Sequence, residues 1–259
     1  MTLLRDMPLN GPGSWYSGSQ IQIDSTSYNP PDVPNGVPGY MDWVSDPLGQ
    51  RGTVLRSQVG AYVSGSFGPR SEINMPNEPV SAGSPVCRSY RWAMMVPSAG
   101  MLNDSPRAIV VAQIHDNPDG GDGARWPIMI MWVTGDELQL MLPRVNPPTD
   151  GDGSSRVAAS VRGIRDRWMD IQFSINLSIE ATPGWLEWIV DGVLIHRETC
   201  HGTAYDDAIG PWHKLGCYNI LKYTDAGVIG TAYYTACQHH APPYSTGPVA
   251  AISRQIAGR

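Results

Sequence analysis

The sequence predicts one large all-β domain built as a β-sandwich or jelly roll, and three observations support this. Gly and Pro are abundant, with 28 and 23 of the 259 residues, and Trp and Tyr are numerous. Short segments of apolar β-formers follow one another between turn signals, and no long stretch has the apolar spacing of a helix. Many short strands that are polar on one side are typical of these folds.

The composition divides the chain into three parts. Residues 1–50 are loop-like, with NPPDVPNGVPG at 29–39, and we expect an extended Pro/Gly-rich arm suited to wrapping a neighbouring protein. Residues 51–240 carry the strand candidates and form the predicted β-jelly-roll domain. Residues 241–259 are similar in composition to the arm until a short candidate helix at the end, and we expect a C-terminal tail there.

Seven segments of the middle part are predicted to be strands or hairpins. In chain order they are 87–97, 108–115, 126–145 (a hairpin turning at 134–136), 168–179, 185–198, 213–221 and 231–238. In 168–179, apolar residues from Ile171 to Ile179 alternate with polar residues from Asp170 to Ser178, which predicts a half-buried strand. Asp191-Gly192 within 185–198 is a strong signal for a two-residue hairpin turn.

The charge balance argues against several classes of partner. The net charge is −6 and the sequence has no basic run, which disfavours nucleic acid because phosphate neutralisation dominates that binding. No segment is apolar enough to span a membrane, and the first residues lack the apolar core of a secretory signal. We expect an extracellular or virion-associated protein, with a cytoplasmic location left open.

The cysteines do not predict a metal centre. Cys87, Cys200, Cys217 and Cys237 are widely spaced and form no CxxC pair, so disulfides and buried thiols both stay open. The segment CQHH at 237–240 has metal-ligand residue types, but it lacks a partner motif at a recognisable spacing.

Two loops concentrate aspartates, at 116–123 and 149–155. Neither completes an EF-hand pattern, since the second has Val161 where a bidentate Glu is needed. Turn chemistry explains these aspartates, with calcium as the alternative. We expect no cofactor.

Three strand-like segments carry polar residues two or four positions apart, which places each set on one face of an extended strand. They are Arg70 and Glu72 in GPRSEI, Gln113 and His115 in AQIH, and Lys214 and Tyr218 around Gly216 in HKLGCYN. Together they supply a cation, an amide, an imidazole and a phenol. On the same pattern Ile114, Leu215 and Cys217 face the core, and we expect Cys217 to be unreactive.

These segments, in this order and at these separations, resemble the signature strands of jelly-roll polysaccharide lyases of the alginate-lyase, glucuronan-lyase and heparin-lyase-like groups. The alginate-lyase motifs run R-S/T-E-L-R, Q-I/V-H and Y-F-K-A-G-V-Y-N-Q. The resemblance covers roughly residues 55–235. The sequence departs from the motifs at Asn74, where the family has a basic residue, at Trp212-His213, where it has Tyr-Phe, and at Ile220, where it has Gln.

The resemblance implies a concanavalin-like β-jelly-roll sandwich of two curved antiparallel sheets, with a concave groove that binds a polysaccharide. It also implies β-elimination at a uronate without a metal. Arg70 and Gln113 would stabilise the developing anion. His115 or Tyr218 would remove the proton, depending on the stereochemistry of the sugar, and Tyr218 would protonate the leaving oxygen.

The resemblance also implies residues that bind the substrate or position the reacting groups. They are Glu72, Lys214, Asn219, Gln172 and Asn176, of which the last two belong to a polar strand face that fits a sugar-lined groove. Gly216 would keep the floor of the groove flat enough for a sugar to approach.

Alternative functions stay open. The main one is a non-catalytic carbohydrate-binding or structural module of a bacteriophage tail or virion, whose proteins the N-terminal arm would contact. Hydrolysis by paired carboxylates, with Glu187 as the acid, is another. A serine esterase is disfavoured because the sequence contains no G-x-S-x-G. Trp185, Trp188 and Trp212 are candidates for stacking on sugars, with core filling expected for at least one of them.

Overall fold

The described residues form fifteen β-strands and no helix in a computed structural model of the chain. The structure describes residues 2–7, 22–24, 39–62, 68–75, 77–78, 80–81, 83–99, 107–116, 123, 125–144, 154–179, 184–199, 203–205, 209–224 and 228–241. The strands are β1 (Thr2–Met7), β2 (Gln22–Asp24), β3 (Gly39–Ser45), β4 (Thr53–Gly60), β5 (Arg70–Asn74), β6 (Val86–Met95), β7 (Ile109–His115), β8 (Met129–Thr134), β9 (Glu137–Pro143), β10 (Ser155–Arg162), β11 (Trp168–Leu177), β12 (Trp185–Val190), β13 (Val193–Thr199), β14 (Trp212–Tyr218) and β15 (Val228–Ala241).

The strands form two antiparallel sheets, so the predicted all-β sandwich is confirmed. Sheet 1 has the order β13-β12-β11-β6-β15-β4-β3, and β1 also pairs with β15. Sheet 2 has the order β10-β9-β8-β7-β14-β5-β2. β4, β6 and β11 lie in sheet 1, whereas β5, β7 and β10 lie in sheet 2, so the chain crosses repeatedly between the sheets. Strands distant in sequence, such as β7 and β14, thereby become neighbours.

The apolar faces of the two sheets enclose one large core. Ile171, Phe173 and Ile175 of β11 contribute from sheet 1, and Ile114 and Leu215 contribute from sheet 2. Complete burial of each such side chain favours folding by about 1.5–3 kcal/mol. Because side chains alternate along a strand, the core residues determine which polar residues reach the outer faces of the sheets.

Hydrogen bonds between the sheets fix the strands that carry the candidate site. The Ser57 hydroxyl of sheet 1 donates to the backbone oxygen of Ser71 at 2.7 Å and accepts from the backbone nitrogen of Cys217 at 2.8 Å. The hydroxyl of Tyr234 donates to the backbone oxygen of Val111 at 2.8 Å. β5, β14 and β7 are therefore each tied to the opposite sheet through buried polar contacts.

The predicted strands are confirmed, with small differences at their ends. β6, β7, β11, β14 and β15 lie at the predicted segments, and 126–145 contains the hairpin β8–β9 with its turn at 135–136. Asp191 and Gly192 join β12 to β13 with φ of 52° and 78°. These left-handed conformations are the ones that a two-residue hairpin turn of this type needs.

Three strands lie in the described parts of residues 1–50, for which the composition predicts a loop-like arm. β1, β2 and β3 lie there and pair with β15, β5 and β4. β4 and β10 are also not predicted from the sequence, because small and charged residues interrupt their apolar alternation (TVLRSQVG and SRVAASVR). The arm between these strands and the tail and helix beyond residue 241 lie outside the described residues, and they and the domain boundaries stay predictions.

Candidate active site

The three segments with paired polar residues are adjacent strands, because β14 lies between β7 and β5 in sheet 2. The facing residues are Tyr218 and Arg70, Gly216 and Glu72, Lys214 and Gln113, and Trp212 and His115. Segments that are far apart in sequence thus meet in one patch.

The same strands show which way these polar residues point. Ile114, Leu215 and Cys217 belong to the core, as predicted. The alternating polar residues therefore lie on the outer face of sheet 2. We call this patch the site face and define it by Arg70, Glu72, Gln113, His115, Lys214 and Tyr218.

Glu72 is the centre of a buried polar cluster on the site face. Its Oε1 accepts a hydrogen bond from Nε2 of Gln113 at 2.5 Å, and its Oε2 lies 3.7 Å from Nζ of Lys214. The Glu72 side chain is completely buried, and a buried carboxylate needs such partners because its desolvation is costly. Glu72 is therefore engaged by Gln113 and Lys214, and its implied roles in positioning and in substrate binding stay predictions.

Arg70 and Tyr218 form the second contact of the site face. The guanidinium carbon of Arg70 lies 5.2 Å from the centroid of the Tyr218 ring, a cation–π distance. The Tyr218 ring also packs in an apolar cluster that is not predicted from the sequence. The cluster further comprises Val110, Ile130, Met141 and the partly buried Trp126, Trp132 and Ile220. The sequence signal that could have indicated this cluster is the alternation of Ile130 and Trp132 on β8, the strand next to β7. Tyr218 therefore lies at the border between a charged and an apolar part of the sheet.

His115 lies at the end of β7 with one ring nitrogen already engaged. Its Nδ1 is 2.6 Å from the backbone oxygen of Asp116. A carbonyl oxygen only accepts, so Nδ1 carries the hydrogen and Nε2 carries the lone pair. Burial, together with the charges of Lys214 and Arg70, lowers the pKa of His115 to about 4, although the bond to Asp116 opposes this effect. The imidazole is therefore neutral at pH 7 and able to accept a proton at Nε2.

Trp212 packs beside this imidazole. The ring centroids of His115 and Trp212 are 5.3 Å apart, and Nζ of Lys214 lies 5.1 Å from the Trp212 ring. Trp212 is partly exposed, whereas Trp188 belongs to the core and Trp185 is buried. Core filling by one of the three tryptophans is thus confirmed, and Trp212 is the one placed at the site face.

Gly216 is required by the backbone of the site face. Its φ is 141°, and a Cβ at this position would lie 2.0 Å from the backbone oxygen of Ser71 and 2.7 Å from Cα of Glu72. A side chain would therefore push β14 away from β5. β14 and β5 approach each other closely at this point, where the pairing of β14 with β7 shifts register. The close approach is a reason for glycine that differs from the predicted one.

Gln172 and Asn176 lie away from the site face, and their predicted place in the groove is wrong. Both are on β11 in sheet 1, where their neighbours Phe173 and Ile175 face the core. They point to the outer face of sheet 1, on the far side of the core. The alternation in 168–179 predicts the polar face correctly, but it does not say to which sheet the strand belongs.

The side chain of Asn219 is engaged by the turn that follows β14, and its role in substrate binding stays a prediction. Its side chain is fully buried. Nδ2 donates to the backbone oxygens of Gly60 at 3.3 Å and Tyr223 at 3.0 Å, and Oδ1 accepts from the backbone nitrogen of Tyr223 at 3.0 Å. These bonds hold the turn that follows β14.

Glu187, the acid of the hydrolase alternative, also lies on sheet 1. Its Oε1 accepts from Nε of Arg197 at 2.7 Å. Burial raises the pKa of Glu187, and Arg197 opposes this effect. Because Glu187 lies on sheet 1, the core separates it from the site face. The ion pair with Arg197 accounts for its burial.

Metal-ligand residue types do not gather at one point among the described residues. No group of three or more His, Cys, Asp or Glu side chains in that part of the chain is placed to hold a metal ion. In CQHH, Cys237 and His239 are buried and the residues between and after them are half-buried. The aspartate-rich stretches 117–122 and 149–153 lie outside the described residues.

Cys87, Cys217 and Cys237 are present as buried thiols, and Cys200 lies outside the described residues. Sγ of Cys217 is 3.4 Å from the backbone oxygen of Ser57, and burial raises the pKa of Cys217 to about 12. The predicted burial of Cys217 is confirmed. Within the described ranges there is also no helix of the length and apolarity needed to cross a membrane.

Comparison with known proteins supports the sequence resemblance. The endo-β-1,4-glucuronan lyase from the fungus Trichoderma reesei has 16% sequence identity and a TM-score of 0.67, with 93% of this chain and 96% of that chain covered. Alginate lyase A1-II′ has 17% identity and a TM-score of 0.54, covering 77% of this chain and 83% of that one.

A further alginate lyase, from Pseudomonas aeruginosa, has 15% identity and a TM-score of 0.52 over 77% of this chain and 86% of that one. No curated protein gives a significant match. These likenesses show a shared jelly-roll sandwich fold. The sequence profile of the family described as "Polysaccharide lyase" matches residues 14–235, and the chain therefore belongs to the polysaccharide lyase family.

Proposed function

We propose that this polysaccharide lyase cleaves a uronate-containing glycan by β-elimination at the site face. The observation that carries the proposal is the placement of His115, Arg70 and Tyr218 on one face of three adjacent strands, with Arg70 against the Tyr218 ring. They supply a neutral imidazole with its lone pair on Nε2, a cation and a phenol. Elimination needs a base, an anion-stabilising group and an acid, and these residues provide each of them.

The hardest step is removal of the proton from the carbon next to the uronate carboxylate. This proton is weakly acidic as long as the carboxylate keeps its full charge. The half-buried Arg70 guanidinium is placed to pair with that carboxylate, and Gln113, held by Glu72, has a second amide N–H to offer. Fixed donors of this kind stabilise the developing enolate-like anion without having to reorganise.

The electrons balance within the sugar chain, and a proton passes from His115 back to Tyr218 through solvent after the reaction to restore both groups. Nε2 of His115 accepts the C5 proton, and the electrons of that C–H bond form the C4–C5 double bond as the C4–O bond breaks. The Tyr218 hydroxyl gives its proton to the leaving oxygen. For a sugar with the opposite configuration at C5, Tyr218 is the base instead. The products are an unsaturated uronate and a chain with a new hydroxyl end.

The related structures support a uronate polymer as the substrate. The glucuronan lyase and the alginate lyases act on polyuronates by their names. The charged half of sheet 2 fits such a polymer, because Arg70 and Lys214 bring two cations to it. Next to it, the apolar cluster around Tyr218 and Trp132 offers a surface on which a sugar ring can stack.

The test is an ultraviolet assay for unsaturated uronates on polyglucuronate, alginate, heparin-like chains and bacterial surface polysaccharides. We expect a new absorbance with one of them, and its loss in His115→Ala and Tyr218→Phe. His196→Ala and Tyr62→Phe, which change the same residue types elsewhere on the molecule, should retain it. Glycan binding without unsaturated products from any polymer would contradict the proposal and favour a binding or virion-structural module.

A further inference from the structure

The contact that gives His115 its reactive form comes from the residue that follows it. β7 ends at His115, and the backbone oxygen of Asp116 lies 2.6 Å from Nδ1 of the ring. In a neutral imidazole, the hydrogen bond made by one nitrogen determines which nitrogen carries the hydrogen. The position of the Asp116 carbonyl therefore decides whether Nε2 is a base or a donor.

The side chain of Asp116 is anchored by a buried ion pair. Its Oδ2 accepts from a terminal nitrogen of Arg125 at 2.5 Å, and the two side chains are 0% and 3% exposed. A charge-assisted bond of this length between two buried groups is among the strong ones. Asp116 lies where the chain leaves the sheet, a point that strand pairing alone does not hold firmly.

Arg125 is in turn held by an aromatic residue. Its guanidinium carbon lies 4.7 Å from the ring centroid of Tyr205, and the Tyr205 hydroxyl donates to the backbone oxygen of Trp126 at 3.1 Å. Tyr205 is itself buried. The chain of contacts thus runs from Tyr205 through Arg125 and Asp116 to the imidazole of His115.

We propose that the Asp116–Arg125 ion pair positions His115 as the base, by fixing the carbonyl that selects the Nδ1–H tautomer. The inference rests on the proposed function, in which Nε2 of His115 takes the proton. Asp116 and Arg125 act through His115 and are positioning residues. A base held in the wrong tautomer loses most of its effect although it is still present, as is known for catalytic triads.

The first test reads the tautomer directly and needs no substrate. Correlation of imidazole carbon-bound protons with the ring ¹⁵N nuclei distinguishes the two neutral tautomers, and the His115 signals are identified by their absence in His115→Ala. We expect the Nδ1–H tautomer in the unmodified protein at pH 7. An Nε2–H tautomer there would overturn the proposal, whether or not the protein cleaves a uronate polymer.

The second test uses Arg125→Gln, with Arg125→Lys as the conservative variant. We expect Arg125→Gln to shift His115 toward the Nε2–H tautomer and to lower kcat roughly 10- to 100-fold, a part of what a positioned base contributes, with KM changed less than about threefold. Arg125→Lys should recover part of both. Arg156→Gln, which removes the 2.5 Å ion pair with Glu198 at the sheet edges, is the control and should change neither.

The outcomes separate the two proposals. A fall in kcat with the tautomer of His115 unchanged in Arg125→Gln would show that the ion pair is merely structural and would overturn the inference. A protein with the Nδ1–H tautomer that yields no unsaturated product would contradict the proposed function instead. If Arg125→Gln does not fold, the inference is tested on the unmodified protein and on Arg125→Lys. An Nε2–H tautomer of His115 in the unmodified protein would then contradict it.

Discussion

The two outer faces of the sandwich both carry buried polar residues, but they use them differently. We call the polar patch of sheet 1 the opposite face and define it by Ser89, Arg91, Gln172, Ser174, Glu187 and Arg197. Its residues bond to one another: Arg91 to Gln172 at 3.0 Å, Gln172 to Ser174 at 3.1 Å, and Ser174 to Ser89 at 2.9 Å. Hydrogen bonding within the patch accounts for this burial.

The site face is built from different groups. It combines Arg70 and Lys214 with the buried carboxylate of Glu72. Beside them lie a neutral imidazole whose Nε2 carries the lone pair and a phenol at the border of an apolar cluster. The comparison teaches that polar burial alone does not identify a site in this fold. The site face differs in its neutral imidazole, its phenol and the apolar cluster beside the phenol.

The largest expected effect is on the rate, and it is confined to the site face. Tyr218→Phe removes only a hydroxyl, and we expect it to lower kcat by about 10²–10⁴ because a positioned acid–base group contributes that much. The midpoint of thermal unfolding should hardly change. Initial rates and calorimetry check both statements, and a Tyr218→Phe variant with the full rate would remove Tyr218 from the mechanism.

The next effect is on the backbone of the site face. Gly216→Ala should reduce the free energy of unfolding by about 3 kcal/mol, because its Cβ meets the backbone of β5 at a strained φ. Gly192→Ala in the hairpin of sheet 1 is the matched control. Its φ is 78° but nothing lies within 4 Å, so about 1 kcal/mol is expected from the backbone conformation alone. Equal losses in a denaturant titration would contradict the close approach of β14 and β5.

A pH effect is expected from the core side of the same strand. His213 of β14 faces Tyr90 and Trp92, with ring centroids 4.5 Å and 5.1 Å away, and burial together with the nearby His239 lowers the pKa of His213 to about 3. Glu78 lies 3.3 Å from His239 and pairs with Arg88.

Between the ordinary histidine pKa of about 6.5 and this value, the unfolded chain binds a proton at His213 that the folded chain does not bind. Stability should therefore fall as the pH falls from about 6.5 toward 4. His213→Phe, which keeps the aromatic contacts, should make the free energy of unfolding depend less on pH over that range. An unchanged pH dependence in this variant would count against the buried neutral imidazole.

The opposite face should affect stability alone. Gln172→Ala removes the bonds to Arg91 and Ser174, and we expect a loss of about 1–2 kcal/mol in the free energy of unfolding. The value of kcat/KM should be unchanged, because Gln172 lies on the other side of the core from the site face. A raised KM would restore the predicted role of Gln172 in substrate binding.

The smallest expected effect is on Cys217, whose thiol should not react. It is buried on the core side of β14, and burial raises its pKa to about 12. A thiol reagent should therefore label it only after unfolding, since the thiolate is the reactive form. Mass spectrometry of the native and the denatured protein gives the comparison. Rapid native labelling would contradict the assignment of faces along β14.

The sequence predicts what depends on local pattern and fails where the outcome depends on distant pairing. Alternation and turn residues locate β11 and the Asp191-Gly192 hairpin, because both signals are contained in a few consecutive residues. The placement of Gln172 fails for a different reason. Its strand has the right polar face, but only pairing with β6 and β12 assigns it to sheet 1.

The site itself shows the same division. Spacing within AQIH predicts that Gln113 and His115 share a face, and the resemblance brings β5, β7 and β14 together. The Asp116–Arg125 pair is not predictable from the sequence, because its two residues lie nine positions apart and no sequence pattern pairs them. Asn219 continues a motif, yet it lies one residue beyond the strand end, where turn bonds use its side chain.

The most direct test of the central claim is the mass balance of a purified uronate oligosaccharide that the enzyme cleaves. In β-elimination the masses of the two products sum to that of the substrate, whereas hydrolysis adds one water. We predict products without added water, one with an unsaturated uronate end, formed by the unmodified protein and lost in His115→Ala and Tyr218→Phe. Products that contain an added water, or an unchanged yield in both variants, would contradict β-elimination at the site face.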